Sequence, residues 1–348
     1  MHTFLKRSVI DIITQAGSYQ AMKNANQILI FLLAAASRNE KAALITITGI
    51  TGGSPRAPGT HMAASETGAY LGSISGGCVE AAIVGEAKRI IQSGRAESMR
   101  LGEGSPFIDI RLPCGGGIDI LISPTEDIAT LNQAVDWLTA RRAVALLLDL
   151  EGGMTVRPAR SDDVTGWHSN QFLARHEPNM QLIIAGHGAE TLALTRLGLS
   201  YGAEILVLSP DKDLLDTAAG FGAQAQILNS RQHVPKFLID RHTAMVLLFH
   251  DHDWEDALLA EALTQPGFFV GAMGSRNTHA RRLHSLAQRG VSEHTLVRLV
   301  GPIGLISPSR DPDTLALSTL AQIVSVYIES VADTLTARTT PKPRMVSA

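Results

Sequence analysis

Hydrophobic and polar positions along the chain fall into two alternating rhythms. Short, nearly continuous apolar runs of strand length, "AALITITGI" (42–50), "GIDILIS" (117–123) and "AVALLLDL" (143–150), are interleaved with stretches whose apolar residues recur every three or four positions. Val79, Ala82, Ile83, Ala87, Ile90 and Ile91 keep helical spacing, and a further helix is expected from about Glu126. Between residues 151 and 179 the periodicity fades, and "RPARSDDVTGWHSNQ" reads as a surface connection or small hairpin. Past it the rhythm becomes regular. "QLIIAG", "AEILVLS", "TAMVLLFH" and "GFFVGAMG" are short buried strands separated by helix-length stretches, the pattern of a doubly wound sheet. A long helix over 313–337 and a polar, Pro-containing tail close the chain. The expectation is an α/β protein: an N-terminal mixed α/β domain over 1–150, a linker over 151–179, a doubly wound parallel-sheet domain over 180–337 and a disordered tail over 338–348.

Composition narrows the function. With 348 residues, 45% of them hydrophobic, the chain can bury two ordinary cores. Lys and Arg number 30 against 33 Asp and Glu, a net charge of −3, so no general basic field exists to hold nucleic acid. The longest apolar run, "ILIFLLAAA" (28–36), is about half the roughly 20 residues of a membrane span and reads as a buried helix. The start, "MHTFLKRSVIDIITQ", carries Asp11 and no small-residue cleavage site, so no secretory signal is expected. Two cysteines without a disulfide framework point to a reducing cytoplasm.

In the second half, "LIIAGHGAETLAL" leads from a strand into a helix. Gly186 and Gly188 fit the first two glycines of a dinucleotide-type turn, where backbone amides approach a phosphate, and Thr191 stands at the third position. At the end of the next strand Ser209 replaces the acid that would hold a nicotinamide ribose. "FHDHDWEDALLAEAL" places His250, Asp251, His252 and Asp253 at the carboxyl end of another strand. The cluster reads as a helix cap at Asp253 with Asp256 in an acidic first turn, ahead of a metal site, and His250 is expected beside the Gly186–Gly188 turn. "GAMGSRNTHARRL" repeats the strand-turn-helix pattern, with Ser275 to cap the helix and Arg276 to pair an anion at its start, while Arg281 and Arg282 read as solvated.

Three glycine-bearing loops mark the first half. "GGSPRAPGTHM" supplies Arg56, "SGGCVE" supplies Cys78 behind Gly76 and Gly77, and "LPCGGGID" sets Cys114 before Gly115 and Gly116. Folding does not call for a thiol in each of the last two. A thiol at a helix N-terminus has a lowered pKa, and the thiolate is the form that ligates metal or carries sulfur.

These words in this order resemble the XdhC/CoxI family of xanthine dehydrogenase accessory proteins, over nearly the whole chain. The resemblance implies a Rossmann-like second domain and a maturation chaperone rather than an enzyme with its own turnover. Such a protein transiently binds molybdenum cofactor, as molybdopterin or its dinucleotide form, assists its sulfuration and delivers it to a molybdenum hydroxylase. Carried over by position, Cys114 and Cys78 handle sulfur. Arg56, Gly76, Gly77, Glu80, Gly115 and Gly116 of the first domain, with Gly186, His187, Gly188, His250, Gly274, Ser275 and Arg276 of the second, contact the cofactor. No bound metal ion of its own is expected. The implied partners are a cysteine desulfurase and a xanthine dehydrogenase-like hydroxylase, with a homo-oligomeric, cytoplasmic state. Two other readings compete: an NAD(P)-dependent oxidoreductase using the second domain, and a silent scaffold bridging sulfur donor and target.

Overall fold

The computed structural model describes residues 24–52, 56–75, 79–105 and 116–339, in two compact units that divide between Pro178 and Asn179. In the first unit, helix α1 (Ala25–Ser37) is followed by strands β1 (Ala42–Thr51), β2 (His61–Ser65) and β3 (Tyr70–Gly72). Helix α2 (Glu80–Ser93), strands β4 (Glu97–Gly102) and β5 (Gly117–Pro124) and helix α3 (Ile128–Thr139) come next. The strands form one antiparallel sheet in the order β3-β2-β1-β5-β4. Strand β1 explains its own unbroken apolar run, because both faces are covered. Leu44 points into the core shared with Leu29, Leu32, Leu131 and Leu138 of α1 and α3, while Ile45 and Ile47 pack with Ile83 and Ile90 of α2. Asn24 and Asp127 cap α1 and α3 through their side-chain oxygens.

The segment expected as a linker is a structural part of the first unit. Strands β6 (Val144–Asp149), β7 (Met154–Pro158), β8 (Gly166–His168) and β9 (Gln171–His176) build a second antiparallel sheet, β7-β6-β9-β8. Leu146 and Leu148 of β6 and Phe172 and Ala174 of β9 bury into the α1/α3 core. Its hydrophobic signal was diluted because β7 and β8 are edge strands whose residues are mostly half-buried or exposed. The apolar contribution comes from two alternate positions of β9 rather than from a run.

The second unit carries strands β10 (Gln181–Gly186), β11 (Glu204–Ser209), β12 (Gln224–Ile227), β13 (Thr243–Leu248), β14 (Phe269–Ala272) and β15 (Leu299–Val300). They are parallel and ordered β12-β11-β10-β13-β14-β15, the doubly wound arrangement. Helices α4 (Ala189–Tyr201), α5 (Lys212–Gly220), α6 (Glu255–Thr264), α7 (Arg276–Gln288), α8 (Glu293–Leu296) and α9 (Pro312–Thr339) complete it. Leu182 and Ile184 of β10 face Leu194 of α4 and Leu320 of α9. Ile183 and Ala185 face Leu258 and Leu259 of α6, so helices cover both sides of the sheet. Among the described residues no helix is long and apolar enough to cross a membrane.

Candidate functional site

Antiparallel pairing gathers the three glycine loops of the first unit. The C-terminal ends of β1, β3 and β4 and the N-terminal ends of β2 and β5 all lie at one edge of the first sheet. From that edge leave the 52–60, 73–79 and 103–116 connections, the three sequence motifs. Cys78, Gly76, Gly77, Cys114 and Gly115 themselves lie outside the described residues. The flanks of the last loop are braced by Arg100, which sequence reasoning did not single out. Its Nε donates to Glu103 O (2.7 Å), Nη2 to Thr51 Oγ1 (3.0 Å) and Nη1 to both oxygens of Asp119 (3.0 Å each). Gly52, at φ +78°, passes so close that a Cβ there would sit 3.3 Å from the Cα of Gly116. Backbone thus approaches backbone at the mouth of the loop that carries Cys114.

Glu80 is turned inward, and this corrects its expected role as a cofactor contact. Its carboxylate accepts from Ser73 Oγ (2.7 Å), Ile74 N (3.0 Å), Ser75 N (2.9 Å), Ser75 Oγ (3.0 Å) and Val79 N (3.2 Å), and the residue is 3% exposed. Burial pushes the carboxyl up, but the donors from Ser75 and Ser73 outweigh it and hold the pKa at about 2. Glu80 is a positioning residue. It folds the described part of the 73–79 loop around a fixed negative charge.

Beside that loop a cavity of about 230 Å³ is lined by Arg56, Thr60, His61, Ser73 and His176. Arg56 Nε donates to Ser73 O (3.3 Å). Behind it the two imidazoles share an Nε2···Nε2 hydrogen bond of 2.9 Å, and Thr46 Oγ1 lies 2.8 Å from His61 Nδ1. Burial, with His176 as neighbour, drives the His61 pKa well below its ordinary value, and burial lowers His176 to about 4 against the opposing pull of Glu177. The pair is therefore neutral at physiological pH. His61 stood inside a motif; His176 is 115 positions away in a stretch without periodicity, and only the packing of the two sheets brings them together.

In the second unit the expected residues collect at the carboxyl ends of β10, β13 and β14. Gly186 is in register with Leu248, so the turn after β10 and the residues after β13 are neighbours at the crevice where the strand order reverses. The rings of His187 and His250 are 6.0 Å apart edge to face, and His187 also lies 5.7 Å from Phe249. Gly188 starts α4 with φ +85°, and a Cβ on Gly186 would meet Leu248 O at 2.8 Å. Glu190 occupies the first turn of α4, its Oε1 3.7 Å from His250 Nε2. That puts a carboxylate where a dinucleotide would lay its phosphates. Thr191 is fully buried with its hydroxyl on His187 O, and Ser209 Oγ accepts from Asp211 N while Asp211 caps α5. No described acid at the end of β11 is left for a ribose, and these features weigh against nicotinamide binding.

Two further expectations are corrected here. Asp251 caps the 3-10 turn His252–Trp254 that precedes α6, accepting from Asp253 N (3.2 Å), while α6 itself follows Trp254 without a side-chain cap. Asp253 and Asp251 both pair with Arg231 (2.6 Å each), and Asp256 accepts from Ser285 Oγ and Arg289 Nε. Among the described residues no group of three or more His, Cys, Asp or Glu side chains is placed to hold a metal ion. Arg282 is not solvated. At 4% exposure it donates Nε and Nη2 to the buried Glu255 (2.9 and 3.1 Å) and Nη2 to Met273 O (2.8 Å), tying the Gly274 turn to α6. Its burial follows from the helix face, since Leu286 one turn on is the other buried residue of α7. Ser275 caps α7 by accepting from Thr278 N (3.1 Å), and Arg276 stands exposed at the helix start.

Comparison with known proteins agrees across both units. The family model described as "XdhC and CoxI family" matches residues 35–102, and that of the "XdhC Rossmann domain" matches 182–323. The molybdenum cofactor insertion chaperone PaoD of Escherichia coli is 35% identical over 307 residues, 88% of this chain and 90% of its own. A Bacillus subtilis protein described as a probable subunit of xanthine dehydrogenase is 22% identical over 82% of this chain and 93% of its own. A crystal structure of a Bacillus halodurans protein titled a xanthine dehydrogenase superposes with TM-score 0.70 at 21% identity, over 88% of this chain and 96% of that one, which shows a shared fold.

Proposed function

The chain belongs to the XdhC and CoxI family, and on that premise we propose that it is a molybdenum-cofactor insertion chaperone for a xanthine dehydrogenase-type molybdenum hydroxylase. The observation that carries the reading is the gathering of three glycine loops at one edge of the antiparallel sheet. The cargo is an oxygen-sensitive metal held by a phosphate-bearing pterin, written here as substrate. It needs backbone close at hand, a cation for its phosphate and a thiol for its sulfur. The loops offer all three: the close approach at Gly52 and Gly116, Arg56, and the thiols Cys78 and Cys114. In this reading Gly76, Gly77 and Gly115 keep the backbone open around the thiols, which pass sulfur delivered by a cysteine desulfurase. Taken by itself, the second unit offers Gly186, His187, Gly188, His250, Gly274, Ser275 and Arg276 as residues that would contact a transiently bound cofactor in molybdopterin or dinucleotide form.

The test is to purify the protein without oxygen from cells making the cofactor, and to measure molybdenum and pterin per folded chain together with activation of an apo-hydroxylase. Both should co-purify, and Cys114→Ser should lose target activation while keeping its fold. Protein that carries neither molybdenum nor pterin and activates no hydroxylase would sink the reading. Undiminished activation by Cys114→Ser and Cys78→Ser would favour the silent scaffold.

A further inference from the structure

The cavity beside Arg56 has a chemistry of its own. At about 230 Å³ it falls below the roughly 300 Å³ at which pockets begin to enclose whole drug-sized ligands, so it takes a small group or one end of a larger molecule. Arg56 supplies the only formal charge among its described lining residues; the two imidazoles there are neutral. A cation is disfavoured by that guanidinium and by the absence of a carboxylate in the described lining.

The imidazole pair has one tautomer that suits an anion and one that does not. In the chain Thr46 Oγ1, His61, His176 the two hydrogen bonds engage both nitrogens of His61 and Nε2 of His176, which leaves Nδ1 of His176 outside the chain. When the Thr46 hydroxyl donates to His61 Nδ1, His61 Nε2–H donates to His176 Nε2, and the proton of His176 resides on Nδ1. In the first of these tautomers the pair ends in a donor, with Thr46 and His61 buried behind it. A guanidinium beside a directed imidazole N–H matches a tetrahedral oxyanion, which accepts hydrogen bonds on every oxygen.

We infer that this pocket binds a tetrahedral oxyanion, as inorganic phosphate or as the phosphate end of a small phosphate monoester, with Arg56 as countercharge and His176 as directed donor. It deepens the cargo reading, on which it rests only for the identity of the larger ligand. Full-length protein with 15N-labelled histidine is titrated with inorganic phosphate and, separately, with glycerol 3-phosphate, against chloride at equal ionic strength. The imidazole signals of His61 and His176 should shift saturably while that of the exposed His294, outside any candidate site, does not. Arg56→Gln should weaken binding about tenfold, and the surface variant Arg95→Gln should not. His176→Gln should remove the shift of His61. Tighter binding of the monoester assigns the pocket to a phosphorylated molecule, and equal binding to the free anion. No saturable shift with either ligand, or a shift undiminished in Arg56→Gln, overturns the inference. A flat titration with molybdenum and pterin still co-purifying fails the pocket alone; a clean titration without them fails the cargo reading alone.

Discussion

At the loop edge of the first unit two polar side chains, Glu80 and His61, are turned into the protein. Glu80 is 3% exposed under five donors, and His61 is 4% exposed between Thr46 and His176. At the strand-end edge of the second unit the candidate side chains face solvent: the His250 side chain is 64% exposed, and Arg276 is exposed. The buried polar link there, Arg282 with Glu255, lies beneath the turn. The difference follows from topology. Parallel strands hand the chain to helices whose N-termini fix the turn, so side chains are free to project. In the first unit the 52–60 and 103–116 loops join antiparallel strands without a helix, and Arg100 braces the flanks of the second; the 73–79 loop leads from β3 into α2 and is held by the buried carboxylate of Glu80 at that helix's first residue.

The comparison can be broken first at its buried links. Glu255→Ala leaves Arg282 charged and unpaired in the second unit and should cost about 3–5 kcal/mol in urea unfolding. A loss below about 1 kcal/mol would show that the pair is not what holds the Gly274 turn. In the first unit His176 titrates at about 4 when folded and near 6.5 when unfolded, so the unfolded chain binds more protons between those values. Stability should be complete above pH 6.5 and fall by about 3 kcal/mol as pH drops toward 4. Glu80, held at about 2, should add a second loss as pH falls from 4.5 toward 2. His176→Gln should shrink the first window, to which the buried His61 still contributes, and leave the second; a stability curve level from pH 7 to 5 would refute the neutral pair.

Smaller effects sharpen the contrast. Gly188→Ala forces an L-residue to φ +85° and should cost about 1–2 kcal/mol by thermal unfolding. An unchanged melting temperature would mean that the turn relaxes. Arg276→Ala should change stability by less than about 0.5 kcal/mol while reducing molybdenum retained on gel filtration.

Much of this was legible from residue order. The apolar runs of β1, β5, β6, β10, β11, β13 and β14 announced themselves because each is buried on at least one face over four or more residues, and the motif loops announced themselves by glycine. Strand β2 was hidden inside "GGSPRAPGTHM", whose turn residues drew the eye away from "HMAAS". Arg282 looked like any surface arginine, because it follows Arg281 and only the helix face decides which of the two is buried.

Local sequence determined which segments become strands, helices and glycine turns, since periodicity, caps and backbone freedom act over a few residues. Tertiary structure decided which turns share an edge, that residues 154–176 belong to the first unit, and that His61 meets His176. Those outcomes depend on strand pairing and on two sheets burying one core. The contacts that settle them join residues far apart in the chain, and no local pattern encodes such a pairing.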